Sequence, residues 1–325
     1  MRAELTSFPV SSRVLAPGVV EIDTLLGGWQ QISAGYLIEG PRPVLIETGS
    51  QSSVNVLLAS LAALGVVAGE LAGVVLTHIH LDHAGGVGDV ARAFPEAKVY
   101  VHANGARHLV DPTRLIRSAA MAYGPLLDSF YGRLNPTPSE QVHVLEHGQE
   151  IDVGGGRSLR AIDSPGHAKH HLGLIDSWSG LLFAGDAVGV RLPDGGALRP
   201  ATPLPDFDLD AALASLQRFA DQRPTGIALA HYGLVPVDPQ DLLAKAGETL
   251  REWAEEAERA WHTGNDITEA LELRFAPDLD DLAPERRSAL EMLVGVHSNA
   301  AGLSRWFEQH PGERRGRQLG GGSTS

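Results

Sequence analysis

Cysteine is absent from this chain of 325 residues. Its absence excludes disulfide bonds, cysteine-ligated zinc, iron–sulfur clusters and every mechanism that needs a thiol nucleophile. The chain does contain 14 histidines. A metal ion in this protein would therefore be bound by imidazole and carboxylate groups.

Positive charge is scarce, with 26 Lys and Arg against 40 Asp and Glu and a formal net charge of −14. Nucleic-acid backbones are bound by clustered Lys and Arg, so we expect no nucleic-acid partner. Long apolar runs are missing too, and residues 1–10 lack the basic start and apolar core of a signal peptide. The sequence therefore predicts a cytoplasmic protein that binds no membrane.

The pattern of apolar residues predicts a first domain over residues 1–236 in which strands and helices alternate across short loops. Residues 111–135 interrupt that rhythm with two helical patterns, which predicts a helical insertion. Ten strands are predicted, at 19–23, 35–39, 44–47, 73–77, 98–102, 141–145, 159–163, 172–176, 181–184 and 226–230.

A helical extension is predicted over residues 237–311. Pro239 follows an Asp at a helix start, and Pro284 opens a helix predicted to run to about Gln309. The Arg- and Gly-rich tail, residues 312–325, is expected to be disordered.

One short segment carries most of the chemistry. Directly after the predicted strand 73–77 the chain reads His78-Ile79-His80-Leu81-Asp82-His83, followed by Ala-Gly-Gly. Imidazole nitrogen and carboxylate oxygen are preferred ligands of zinc, iron and manganese. Two groups of ligands within one loop favour two metal ions over one.

Three more ligand-type residues follow the ends of later predicted strands. His167 lies in Ser-Pro-Gly-His, Asp186 in Ala-Gly-Asp and His231 in Ala-His-Tyr-Gly. Loops at strand ends are where a rigid scaffold builds active sites. Each of the three is a weak signal alone, but in order after the first segment they predict one metal centre.

The ordered set of these seven residues resembles the metallo-β-lactamase superfamily of metal-dependent hydrolases, over roughly residues 15–236. The resemblance implies an α/β fold, an αββα sandwich, and two divalent metal ions, with zinc favoured and iron or manganese as alternatives. By position, His78, His80 and His167 would bind the first ion. Asp82, His83 and His231 would bind the second, and Asp186 would bridge the two. Asp82 and Asp186 are also the expected catalytic residues.

Two further residues are expected to support the ligands rather than bind metal. Glu47 stands where the superfamily more often has Asp. His171 matches a second His that acyl-homoserine lactonases place four residues after a ligand. The motif Thr-His-x-His-x-Asp-His-Ala-Gly-Gly resembles that of glyoxalase II, so the glyoxalase II and lactonase branch of the superfamily is favoured.

The resemblance implies that a metal-activated hydroxide attacks an ester, lactone or thioester of a small-molecule substrate. Tyr123, Phe130 and Tyr131 of the insertion are candidates for a substrate pocket, although the same stripe would also suit packing or a homodimer face. Three other functions stay open: an iron-dependent oxidoreductase of the dioxygenase or diiron type, a phosphodiesterase, and a metal-binding scaffold without turnover.

Overall fold

A computed structural model describes residues 11–310. Two mixed β-sheets form the centre of the protein. The first sheet has seven strands in chain order, β1 to β7. They are β1 Ser12–Ala16, β2 Val19–Asp23, β3 Ala34–Ile38, β4 Val44–Ile46, β5 Gly73–Val75, β6 Lys98–Val101 and β7 Val142–Val144.

The second sheet has six strands in the order β13-β12-β11-β10-β9-β8. They are β8 Glu150–Gly154, β9 Arg157–Asp163, β10 Leu172–Asp176, β11 Leu181–Phe183, β12 Gly226–Leu229 and β13 Gly233–Leu234. The β11–β12 pair is parallel, so both strands end at the same edge of this sheet. In the first sheet, β4, β5, β6 and β7 are parallel neighbours in the same way.

Ten α-helices surround the sheets in the described part of the chain. They are α1 Val54–Ala63, α2 Leu81–Ala84, α3 Val87–Ala93, α4 Ala103–Val110, α5 Thr113–Tyr123, α6 Leu209–Asp221, α7 Pro239–Thr263, α8 Ile267–Phe275, α9 Pro284–Val294 and α10 Val296–Gln309.

The central strands are buried on both faces, which explains why they read as continuous apolar runs. Tyr36, Ile46 and Phe183 lie in the core between the two sheets. Leu57 of α1 helps to cover the outer face of the first sheet, and Leu216 of α6 that of the second. The layers are therefore helix, sheet, sheet and helix, and the predicted αββα sandwich is confirmed.

All ten predicted strands are present, within two residues at each end. The prediction missed three strands. β1 and β8 are edge strands, and β13 has only two residues. Edge strands bury less of their surface, so their hydrophobic pattern is weaker.

The helical insertion contains α5 and a π-helical turn, Leu127–Tyr131, separated at Gly124. The prediction did not include α4, which precedes it. The single helix predicted from Pro284 to Gln309 is wrong. Gly295 has extended backbone angles (φ −58°, ψ 151°) and separates α9 from α10.

The helices of the extension pack both on the sandwich and on one another. Leu242 of α7 lies in the core that covers the second sheet, whereas Trp253, Phe275 and Trp306 share a separate core with Phe207. The domain boundary at residue 236 stays a prediction, and the predicted disordered tail lies outside the described residues.

Candidate metal centre

The loop after β5 brings four predicted ligands to the edge of the first sheet. β5 ends at Val75, two residues earlier than predicted, so His78 and His80 lie in an extended loop and not on a strand. His80 is the N-cap residue of α2, and Asp82 and His83 lie in that short helix. The turn into the helix separates the four side chains into two groups.

The first group consists of His78, His80 and His167. His80 Nδ1 lies 3.0 Å from His78 Nε2 and 3.0 Å from His167 Nε2. His167 follows β9 and reaches the group from the second sheet. Its Nδ1 faces the backbone carbonyl of Ala201 at 3.0 Å, so Nδ1 carries the proton and Nε2 presents a lone pair.

The second group consists of Asp82, His83 and His231. His231 Nε2 lies 3.2 Å from His83 Nε2 and 3.5 Å from Asp82 Oδ2. His231 Nδ1 is 2.7 Å from the backbone carbonyl of Ile32, so Nδ1 is the donor and Nε2 faces the other two residues of the group. Three donor atoms therefore converge here as they do in the first group.

Asp186 lies between the two groups, just after β11. Its Oδ1 is 3.5 Å from His83 Nε2 and 3.6 Å from His231 Nε2, and its Oδ2 is 3.5 Å from His167 Nε2. One carboxylate thus faces both groups, one oxygen toward each. The preceding Gly185 has φ +52°, and a Cβ there would lie 2.5 Å from His171 Nε2, so glycine permits this turn.

The electrostatics of the centre fit divalent cations. Burial lowers the pKa of His78 and of His80, and neighbouring imidazoles lower it further, so both rings stay neutral. Burial alone would also lower the pKa of His83, but Asp186, Asp82 and Glu47 outweigh burial and raise it. The carboxylates therefore attract positive charge to the centre, while His78 and His80 remain uncharged nitrogen donors.

Asp186 supplies a second sign of fit. It is buried, and its Oδ1 lacks a hydrogen-bond partner among the described residues. Buried carboxylate oxygens are normally paired or bound to metal. The donor set, all imidazole nitrogen and carboxylate oxygen, suits zinc, iron or manganese. The ligand roles of the seven residues stay predictions, but the structure brings all seven together.

The two expected supporting residues touch the ligands from outside. Glu47 Oε1 accepts a hydrogen bond from the backbone N–H of Thr77 at 3.2 Å, and Oε2 lies 3.6 Å from His83 Nδ1. His171 Nε2 accepts from the backbone N–H of Asp186 at 3.1 Å, and its Nδ1 is 2.7 Å from Ser164 Oγ. Both ring nitrogens of His171 are therefore occupied, and it orients Asp186.

Of the three candidate pocket residues, the two tyrosines lie close enough to Asp82 for its charge to affect their pKa values. Their rings lie 4.5 Å apart. Burial raises the pKa of Tyr123 to about 12, with a further contribution from Asp82. Burial also raises that of Tyr131 well above its usual range, with contributions from Tyr123 and Asp82. Both hydroxyls therefore stay protonated at neutral pH.

Phe130 is buried in the same core as Tyr131, and the two ring centroids lie 4.8 Å apart. It is buried against Trp29, with ring centroids 5.6 Å apart, and a Cβ on Gly27 would lie 2.2 Å from its ring. Its contacts are those of a core residue that anchors the insertion to the loop after β2.

Sequence reasoning missed the two backbone carbonyls that orient His167 and His231, those of Ala201 and Ile32. Every residue carries a carbonyl, so no residue type marks these positions. Only the chain path brings them within reach of the rings.

The sequence pattern of the metallo-beta-lactamase superfamily matches residues 27–231. This chain therefore belongs to the metallo-beta-lactamase superfamily, and its two sheets flanked by helices have that superfamily's fold. The finer resemblance to the glyoxalase II and lactonase branch stays a prediction.

Particular relatives match parts of the chain. A metallo-beta-lactamase fold-containing protein of Sulfurisphaera tokodaii is 34% identical over 166 residues, which are 50% of this chain and 60% of the relative. An atrochrysone carboxyl ACP thioesterase of Aspergillus fumigatus is 31% identical over 182 residues, 54% of this chain and 46% of the relative. The chain thus spans about half the length of these curated relatives.

The first of these relatives, ST1585, also has a solved structure, which extends the likeness beyond the matched sequence. This archaeal metallo-beta-lactamase superfamily protein, there given as from Sulfolobus tokodaii, superposes with a TM-score of 0.67 at 25% identity, covering 88% of this chain and 98% of that chain. Among residues 11–310, no helix has both the length and the apolar character needed to cross a bilayer.

Proposed function

We propose that this protein is a dinuclear metal-dependent hydrolase that cleaves a thioester, ester or lactone of a small molecule. The observation that carries the proposal is the position of Asp186, whose two oxygens face two separate groups of ligand atoms. Several relatives are named acyl-carrier-protein thioesterases, which favours the thioester among the three substrates.

The site residues have distinct tasks in this proposal. His78, His80 and His167 would hold one ion, Asp82, His83 and His231 the other, and Asp186 both. Two bound divalent ions would acidify a shared water at neutral pH and polarise a carbonyl group. Zinc suits the donor set, and iron or manganese would also fit.

The carboxylates stay ionised for this task. Burial alone would raise the pKa of Asp82, but His83 and His231 outweigh it and lower the pKa. The same balance lowers the pKa of Asp186. Both residues therefore bring negative charge to the centre at neutral pH.

The tyrosines provide the contacts on the substrate side. Their hydroxyls keep their protons, so they can donate hydrogen bonds to a substrate oxygen near Asp82. Met121 and Leu126, also in the insertion, are 77% and 46% exposed, so in this proposal they would be free to contact an acyl chain.

The test measures metal content first and substrate preference second. Protein purified without added metal is analysed by elemental analysis, and kcat/KM is measured on an acyl thioester, an acyl-homoserine lactone, a penicillin and a phosphodiester. We expect two ions per chain and the highest kcat/KM on the thioester or the lactone. A phosphodiester that leads by tenfold or more would overturn the substrate class.

A further inference from the structure

Helix α10 is hydrogen-bonded to the loop that contains Ala201, whose carbonyl orients His167. Asn299 of α10 is 1% exposed. Its Nδ2 donates to the backbone carbonyl of Pro200 at 3.0 Å, and its Oδ1 accepts from the backbone N–H of Thr202 at 2.8 Å. The side chain therefore binds the residues on both sides of Ala201.

A carboxamide is suited to this task because it carries a donor and an acceptor on one short, neutral group. The Thr202 hydroxyl adds a hydrogen bond to Asn299 Oδ1 at 2.9 Å. In a buried location, any of these groups left without a partner would be costly. The segment 200–202 is thus fixed to α10 on both sides of Ala201.

Gly302, three residues after Asn299, brings the helix and the segment close together. A Cβ at this position would lie 1.7 Å from the backbone carbonyl oxygen of Thr202. Real atoms cannot approach so closely, so the absence of a side chain sets the distance between α10 and the segment. Helix α10 and the segment 200–202 are therefore in close contact over about one turn of the helix, from Asn299 to Gly302.

Ala201, held between these contacts, is the residue whose carbonyl accepts the hydrogen bond from His167 Nδ1. This bond decides which ring nitrogen of His167 carries the proton and which way the ring points. The Nε2 that remains faces His80 and Asp186. Groups of this kind, one bond behind a ligand, typically change metal affinity 10- to 100-fold when they are removed.

We propose that Asn299 is a positioning residue, which holds the Ala201 carbonyl so that His167 presents Nε2 to the first metal ion. The inference rests on the proposed metal-binding role of His167, and it gives the C-terminal helices a part in building the centre. It requires no contact between Asn299 and the substrate.

The experiment compares three variants that affect α10 differently. Asn299→Ala removes the three side-chain hydrogen bonds to the segment. Gly302→Ala favours the helix itself, since alanine has the higher helix propensity, yet pushes Thr202 away. Leu303→Ala is the control, because Leu303 is fully buried in the core of the extension and its loss weakens packing only.

Two measurements distinguish positioning from stability. The first is the ¹⁵N spectrum of histidine-labelled, metal-free protein, with the His167 signals assigned by a His167→Gln variant. The second is zinc affinity, measured for each of the two ions by competition with a chelator. Folding is checked by circular dichroism and Tm.

We expect Asn299→Ala and Gly302→Ala to reduce Nδ1 protonation of His167 and to weaken the binding of one of the two ions by up to about tenfold, the lower end of the range for a group bonded directly to a ligand. Leu303→Ala should lower Tm but leave the His167 signals and both affinities unchanged. If Asn299→Ala does not fold, the Gly302→Ala variant decides.

Two results would overturn the inference. One is a folded Asn299→Ala or Gly302→Ala protein with the His167 signals and both zinc affinities of the wild type. The other is a Leu303→Ala protein that loses affinity as strongly as they do. Neither measurement uses turnover, so a protein that hydrolyses none of the substrates would refute the proposed function and leave this inference standing.

Discussion

Replacing Asp186 with Asn changes one atom and one charge at the centre. The side chain is buried, and its two oxygens face His83 and His231 on one side and His167 on the other. An amide has one acceptor oxygen, so its NH₂ must face one of the two groups and present protons to lone pairs there. One group therefore loses its shared ligand.

The magnitude follows from the charge. The carboxylates of Asp82 and Asp186 both point into the centre, and the substitution removes one of these two negative charges. Unit charges at about 4 Å in a medium of effective dielectric constant about 20 interact with about 4 kcal/mol. This corresponds to roughly a thousandfold in affinity for each unit of charge. We therefore expect at least one ion to be lost at micromolar protein concentration, and most turnover with it.

Asp82→Asn is the matched comparison, because Asp82 lies near His83 and His231 and belongs to the second group of donors. It should weaken one ion and leave the other bound. Elemental analysis after gel filtration gives the stoichiometry of each variant, kcat gives the loss of activity, and circular dichroism checks the fold. Asp186→Asn protein that keeps two ions and the wild-type kcat would refute the bridging role.

The other predictions concern the insertion and the core. Tyr131→Ala and Tyr123→Ala should change KM and the preferred acyl length more than metal content, as measured on an acyl thioester series; an unchanged profile would make the tyrosines packing residues. Phe130→Ala should mainly lower stability, by about 3–5 kcal/mol in urea unfolding, because it is buried in the core. Asp176→Ala should lower the free energy of unfolding by a similar amount, about 3–5 kcal/mol. The wild-type carboxylate accepts two 2.8 Å hydrogen bonds from the buried Arg157 guanidinium, whose charge would lose this partner. Burial would raise the pKa of Asp176, but hydrogen bonds from Arg157 and Ser179 outweigh burial and lower it. The stabilisation by this pair is therefore present above the unfolded pKa near 3.8 and is lost as the pH falls through the lower folded pKa. When the pH is lowered from 7 to 3, urea unfolding should show a smaller loss of stability for Asp176→Asn than for the wild type.

The sequence predicts the sandwich well because its central strands are buried on both faces. Segments such as Leu172–Asp176 are apolar and bounded by turns, and the structure has this strand with the same ends. The ligand-type residues are visible for a related reason. They follow strand ends, where chain direction and sheet order bring separate loops together.

The misses have physical causes too. Apolar residues recur at helical spacing on both sides of Gly295, because α9 and α10 each bury one face, so the pattern alone reads as one helix. Phe130 looks like a pocket residue from its neighbours in sequence. Its true contact, Gly27, is about a hundred residues earlier in the chain, and a glycine leaves no hydrophobic signal there.

The extension is the part of the chain with the least predicted function, yet each group of predicted ligands includes one histidine that is hydrogen-bonded to a loop the extension contacts. Arg286 of α9 donates hydrogen bonds to the backbone carbonyls of Gln30 and Gln31, directly before Ile32, whose carbonyl binds His231 Nδ1. Asn299 of α10 makes the equivalent contacts around Ala201, whose carbonyl binds His167 Nδ1. Each group of donors thus contains one histidine whose Nδ1 is hydrogen-bonded to a loop that the extension contacts. We therefore expect a change in the packing of α9 or α10 to move these two histidines through the backbone carbonyls that bind them, and not through a side chain of the centre.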